Sequence, residues 1–444
     1  MRILGFCRYL AQYGWRPFVL TTDANSVYPS VGIDKELFAG LPNSVQVEVV
    51  PYTDPRLRLI ALRDRIRNIL SASFSAEARG RQKTPLQTER TTSRMRWISE
   101  IKRLLLCWAL SFPDPQCYWF RPAAKRLSWI EKDKIPDVVL ATGPPWTGLL
   151  IGKALAERFR VPFVADFRDP WISKHYNSFL PPLLVRKAGE LERSVCAAAA
   201  CVIANTEELR ELFCERYPDF RDKFVSIPNG FDRRLLSTTG IECNDLNGSD
   251  KLHMNGRMLE LWHFGTLYSK RNPLPLFQAV SELLGQGQIR PDQLRIRLVG
   301  GWDIADEHCE KLALELENQG IVRREGPVPH QVCLEQMARA QTLLVLQPNF
   351  PLQVPAKIYE YIATARPLIV LGGEGATARL VNEHHLGITC PNTTADIRRL
   401  IYQLVTGQLT LNPPQVAQTN RFDYRILAGD LAQVLEDVCT RHSN

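Results

Sequence analysis

Apolar residues recur along this chain in short blocks separated by stretches with helical spacing. In the first half the blocks Phe18 to Thr21, Val45 to Val50, Val138 to Ala141, Phe163 to Asp166 and Cys201 to Ala204 read as strands. In the second half they are Leu259 to Phe264, Leu294 to Val299, Ile321 to Arg324, Leu343 to Leu346, Pro367 to Leu371 and Ile388 to Cys390. Helical patterns fill the gaps: through Leu149 and Ala156, after the capping pair Asn205 and Glu208, from near Pro273, and over Cys333 to Ala340, Thr377 to Glu383 and Leu427 to Val438. Strand and helix in alternation predict an α/β protein with mostly parallel, doubly wound sheets.

The pattern breaks once. Phe224 to Asp232 reads as a strand ending at an Asn229-Gly230 turn, and Ser237 to Arg257 is polar and rich in Gly, Asn and Asp. With 444 residues there is material for two domains of about 200 residues each. The expected division is a domain over 1–228, a linker over 229–258, a second domain over 259–422 and a closing helix over 423–444. The chain opens on a helix, Ile3 to Tyr13, ahead of the Phe18 strand. A doubly wound domain ordinarily opens on a strand and a loop, so a short apolar strand and a Gly-containing loop are expected upstream of Met1.

At 45% hydrophobic and 23% charged residues, the composition is that of a globular protein and excludes a disordered or fibrous chain. Val195 to Ala204, ten residues, is too short an apolar run to cross a membrane. Arg8, Gln12 and Arg16 interrupt any signal-peptide core, and a cytoplasmic location is expected. Eleven cysteines without a CxxC pair support neither a disulfide framework nor a zinc site.

Charge adds one feature. Between Asp54 and Arg103 there are thirteen Lys and Arg against five Asp and Glu, which accounts for the whole net charge of +8. Leu59, Leu62, Ile66 and Ile69 lie at helical spacing opposite Arg58, Arg63, Arg65 and Arg67; Ile98, Ile101, Leu104, Leu105 and Trp108 form a second stripe near Lys102 and Arg103. This basic helical insert, near 54–110, reads either as solvated scaffold or as a contact for an anionic membrane surface. Nothing in it has the pattern of a nucleic-acid binder.

Candidate chemistry gathers at strand ends. Gly265-Thr266 follows a strand and precedes Lys270, Arg271 and a helix, which suits an anion: backbone N–H groups and two cations converge there. Gly300-Gly301-Trp302 is a second such loop, suited to close backbone approach or ring stacking, and Gly372-Gly373-Glu-Gly375-Ala-Thr377 is another. Lys357 and Glu360 lie nearly one helical turn apart: the lysine can reach a phosphate and the glutamate both hydroxyls of a ribose, or the two can pair with each other on an exposed surface. Together the loops suggest a nucleotide-diphosphate or sugar-nucleotide site. In the first half, Asp166-Phe-Arg168-Asp169-Pro-Trp171 is the densest polar cluster, able to bind sugar hydroxyls or to pair internally. None of the eight histidines stands in a catalytic pattern, and no metal-ligand spacing appears.

The ordered set DFRDPW, VSIPNGFD, FGTLYSKRNP and PAKIYEYIATARPLIVL resembles the bacterial family 4 glycosyltransferases over nearly all the chain apart from the insert. That resemblance implies a GT-B fold, two facing Rossmann-like domains with a cleft between them. It implies an N-terminal acceptor-binding domain and a C-terminal nucleotide-sugar-binding domain. It also implies retention of the donor's anomeric configuration and no metal or other cofactor, the nucleotide-diphosphate sugar being a substrate. On this chain it places Gly265, Thr266, Lys270, Gly300, Gly373 and Thr377 around the donor, Arg271 and Lys357 at the diphosphate, and Glu360 at the ribose. Asp169 would position substrate or stabilise charge. The family's E-x7-E pair is incomplete, because Leu352 stands where the first glutamate would be. The acceptor would be a glycan or a lipid-linked molecule of cell-surface polysaccharide or glycolipid synthesis, reached from the cytoplasm or the inner face of the plasma membrane. Two other readings are an inactive membrane-associated binding subunit of the same fold and a nucleotide-sugar epimerase.

Overall fold

A computed structural model describes residues 2–23, 40–55, 111–126, 135–173, 180–234, 258–348 and 350–443. The basic insert, apart from Asp54 and Pro55, and the polar stretch 237–257 lie outside the described residues. The chain divides into two compact units. One comprises Pro17–Ile172, Leu180–Ala200 and Arg441–Asn444; the other comprises Met1–Arg16, Ser173–Phe179 and Cys201–Thr440. Residues 1–16 and 201–228 thus group with the later part of the sequence.

In the first unit, β1 (Phe18–Thr21) pairs in parallel with β2 (Gln46–Val49), and β3 (Val139–Gly143) with β4 (Phe163–Phe167). Every residue of β4 is buried, as expected for a strand whose run is apolar on both faces. Helix Trp146–Phe159 follows β3. Its first turn is held by Asp114, whose carboxylate accepts the Thr147 N–H at 2.7 Å, the Thr147 hydroxyl at 2.8 Å and the Gln116 N–H at 2.9 Å.

In the second unit, β5 (Cys201–Ala204) pairs in parallel with β6 (Phe224–Ser226). The larger sheet contains β7 (Leu259–Phe264), β9 (Leu294–Val299), β11 (Val322–Glu325), β12 (Thr342–Gln347), β13 (Leu368–Gly372) and β14 (Gly387–Cys390); β8 (Leu267–Tyr268) and β10 (Trp302–Asp303) form a separate two-stranded pair. The order of the six is β11-β9-β7-β12-β13-β14, all parallel. Counted within this sheet the order is 3-2-1-4-5-6, the doubly wound order.

Alternation along the strands fills both faces. Leu259, Leu261, Leu344 and Leu346 join one core with helices Leu274–Gly285, Glu307–Asn318 and Thr394–Val405. Trp262, Phe264, Leu343 and Val345 join the other with helices His330–Arg339 and Ala356–Ala363. The opening helix, Arg2–Tyr9, belongs to this unit. Arg8 forms a buried ion pair with Asp232, Tyr9 donates its hydroxyl to the same carboxylate at 2.8 Å, and Arg2 donates to the carbonyls of Ile227 and Pro228. Buried charges in this strip are ion-paired or hydrogen-bonded, as desolvation demands.

Candidate functional site

In a doubly wound sheet the crevice for a ligand opens beyond the strand ends where the order reverses, here between β7 and β12. Two loops are fastened together beside it. Gly265 donates its N–H to Val299 at 2.7 Å, Leu267 donates to Gly301 at 2.9 Å, and the β8–β10 pair continues the zipper. Gly300 adopts φ +140°, and a Cβ there would stand 2.5 Å from the Gly265 carbonyl oxygen. Only glycine fits that approach.

Lys357 enters this turn from the second residue of its helix. Its ammonium donates to the Phe264 carbonyl at 2.8 Å and lies 3.2 Å from His263 Nε2. A Cβ on Gly265, itself at φ +123°, would come within 2.8 Å of Nζ. Burial, and secondarily the Arg271 guanidinium, pull the Lys357 pKa down to about 7. Arg271 stacks over Tyr268 and Phe350 with its Nε buried and without a hydrogen-bond partner among the described residues. Neither cation has a carboxylate in ion-pair range among the described residues.

The other sequence-predicted residues fall as follows. Thr266 and Lys270 are exposed on the same turn, Lys270 over the Phe350 ring. Glu360 shares the Lys357 helix and meets His330 Nε2 at 3.0 Å, not Lys357 itself. Gly373 is exposed, whereas the Thr377 hydroxyl is buried and donates to the Gln353 carbonyl at 3.0 Å. Trp302 is engaged by Phe277, by Arg324 and by a 2.8 Å bond from its N–H to Glu310, so its ring is a loop anchor. Asp169 is half-buried just beyond β4 in the other unit, where Asp166 accepts the Thr142 hydroxyl at 2.7 Å and the Arg168 N–H reaches the Gly143 carbonyl. Among the described residues no three His, Cys, Asp or Glu side chains gather as a metal set.

Residues 88–235 match Glycosyltransferase Family 4. Over that stretch, which is less than half of its length, the chain is similar to the family 4 glycosyltransferases. Its fold is GT-B, as the solved structures like it show. Anabaena Alr3699/HepE in complex with UDP and glucose is 15% identical with a TM-score of 0.52, covering 95% of this chain and 100% of that one. Sucrose-phosphate synthase from Thermosynechococcus elongatus is 13% identical with a TM-score of 0.55, covering 98% and 92%. A glycosyltransferase from Rickettsia africae is 12% identical with a TM-score of 0.54, covering 95% and 98%. No curated protein sequence matches the chain.

Two residues of this site escaped sequence reasoning. His263 is wholly buried in β7, its Nδ1 3.0 Å from the Leu344 carbonyl. The signal was a polar residue, the second in the strand after Glu260, at an inward position immediately before the Phe264-Gly265 turn. Gln347 ends β12 with both amide atoms buried and unpartnered among the described residues. Its only sequence mark was a polar residue closing an apolar run.

Proposed function

We propose that the protein is a retaining glycosyltransferase that takes a nucleoside-diphosphate sugar as donor, with its diphosphate held at Lys357, Arg271 and the Gly265-Thr266 turn. The observation that carries this reading is a pair of buried or half-buried cations at the switch point with no carboxylate partner among the described residues. Desolvated charge of that kind is costly unless an anion completes it. As the bond from sugar to phosphate breaks, negative charge grows on the departing diphosphate, and Lys357 and Arg271 stabilise it without reorganising. An acceptor hydroxyl forms its bond to the anomeric carbon from the face that the diphosphate leaves and gives its proton to the leaving phosphate; attack on that same face keeps the anomeric configuration. Neutralisation by these side chains makes a metal ion unnecessary. Glu360 would hold the ribose, and Asp169 would position the acceptor. The acceptor we favour is a glycan or lipid-linked molecule of surface polysaccharide or glycolipid synthesis, approached at an anionic membrane surface. The +8 segment between Asp54 and Arg103 supports that preference.

Calorimetry with UDP and UDP-glucose tests the donor site. Lys357→Ala and Arg271→Ala should each weaken binding roughly ten- to a hundredfold, the loss of a hydrogen bond to a charged group, and a chelator should change nothing. Unchanged affinity in both variants overturns the site. Co-sedimentation with anionic vesicles, lost at high salt, tests the membrane reading separately.

A further inference from the structure

We propose that His263 is a positioning residue for the donor: a neutral acceptor that holds the Lys357 ammonium at the Gly265 turn without cancelling its charge. The inference rests on the reading that Lys357 takes the diphosphate. Its support is geometric. His263 Nδ1 lies 3.0 Å from the Leu344 carbonyl, which can only accept, so Nδ1 carries the proton. The ring is wholly buried and stands beside a cation, conditions that oppose a second proton. Nε2 is therefore a bare lone pair, and the Lys357 ammonium lies 3.2 Å from it.

An ammonium has three N–H donors. The Phe264 carbonyl takes one at 2.8 Å and His263 takes another, which leaves one for a ligand at the turn. A carboxylate at position 263 would fix the lysine equally well, but it would neutralise it and compete with a phosphate. An apolar residue would leave the ammonium loose. The charged groups acting on Lys357 from the neighbouring elements are Arg271, which disfavours its charge, and Glu360, which favours it; the Cys333 thiol, pushed up to about 12 by burial, is un-ionised, as is the Tyr361 phenol that bonds the same Phe264 backbone. His263 adds a bond that favours the ammonium.

The test is the pH dependence of UDP-glucose binding to the full chain between pH 6 and 8.5, where the pyrophosphate diester does not titrate. In the unaltered protein, affinity should be level below about pH 7 and fall above it, as Lys357 loses its proton. His263→Leu should move that midpoint down by roughly one pH unit or more, the worth of one bond to a charged group. His263→Gln, which keeps an acceptor in reach of Nζ, should restore it. An unmoved midpoint in folded His263→Leu, or a loss equal at every pH, overturns the inference. If Lys357→Ala binds as the parent does, the donor reading itself fails. Should His263→Leu not fold, the imidazole 15N spectrum of the unaltered protein decides. A neutral ring protonated on Nδ1 is expected, and an Nε2–H tautomer or an imidazolium overturns the proposal.

Discussion

The turn after β3 and the turn after β7 occupy equivalent places in their units, a strand end leading toward a helix, and they treat charge in opposite ways. After β3 the chain supplies its own anion. Asp114 takes the Thr147 N–H and hydroxyl and the Gln116 N–H, closing the first turn of helix Trp146–Phe159. After β7 the chain supplies cations, Lys357 and Arg271, and no carboxylate pairs with either among the described residues. A helix N-terminus filled by a buried side chain is structural, because nothing is left for a ligand to satisfy. A turn lined by desolvated, unmatched charge is less stable than it could be, and a bound anion is what offsets that cost.

The comparison breaks most visibly at Asp114. Asp114→Ala leaves three donors without their acceptor in a buried place and should lower stability by roughly 2–4 kcal/mol, read by urea denaturation. A variant as stable as the parent would mean that the β3 turn is not self-completed. The next largest effect belongs to the β7 turn's own scaffold. Gly300→Ala forces an L-residue to φ +140° and drives its Cβ against the Gly265 carbonyl oxygen. A cost of about 1–3 kcal/mol is expected, with weaker UDP binding in calorimetry because the two loops must part. Full affinity in that variant would show that the zippered loops do not shape the site.

Much of the fold was legible because hydrophobic period is a local signal. Phe18–Thr21, Cys201–Ala204, Leu259–Phe264 and Leu294–Val299 are strands at the very residues where apolar blocks predicted them. The expected helix over Ile3 to Tyr13 is present as Arg2–Tyr9 followed by a tighter turn through Tyr13. What the period cannot carry is partnership across the chain. That Arg2, Arg8 and Tyr9 lock onto residues 227–232 depends on chain segments more than two hundred positions apart. The site divides along the same line. Lys357, Arg271 and Gly265 were visible as residue types beside strand ends, whereas His263 became meaningful only once Lys357 was seen to lie against it. The Glu360 partner, His330, was equally out of reach, lying thirty residues upstream in another helix.

The smallest expected effect tests the contrast most sharply. Lys357→Met keeps the aliphatic stem and removes the ammonium. If Lys357 were a strut like Asp114, the change would destabilise the fold. If its charge is held desolvated for a ligand, the variant should be more stable than the parent by about 1 kcal/mol near pH 6.5, while losing nucleotide affinity. The pH dependence follows from the direction of the shift. The Lys357 pKa falls from its ordinary value to about 7 on folding, so between about pH 7 and 10 the unfolded chain binds a proton that the folded one has released. Stability of the parent should therefore rise with pH across that window, and the cost carried by Lys357 should be fully present only below it. Binding of UDP-glucose should move the other way, weakening as pH rises through the same range. Denaturation at pH 6.5 and 9 on parent and Lys357→Met proteins reads the difference, with the variant lacking the increment. Destabilisation by Lys357→Met, or identical pH slopes in the two proteins, would place the β7 turn with the β3 turn as a completed structural device.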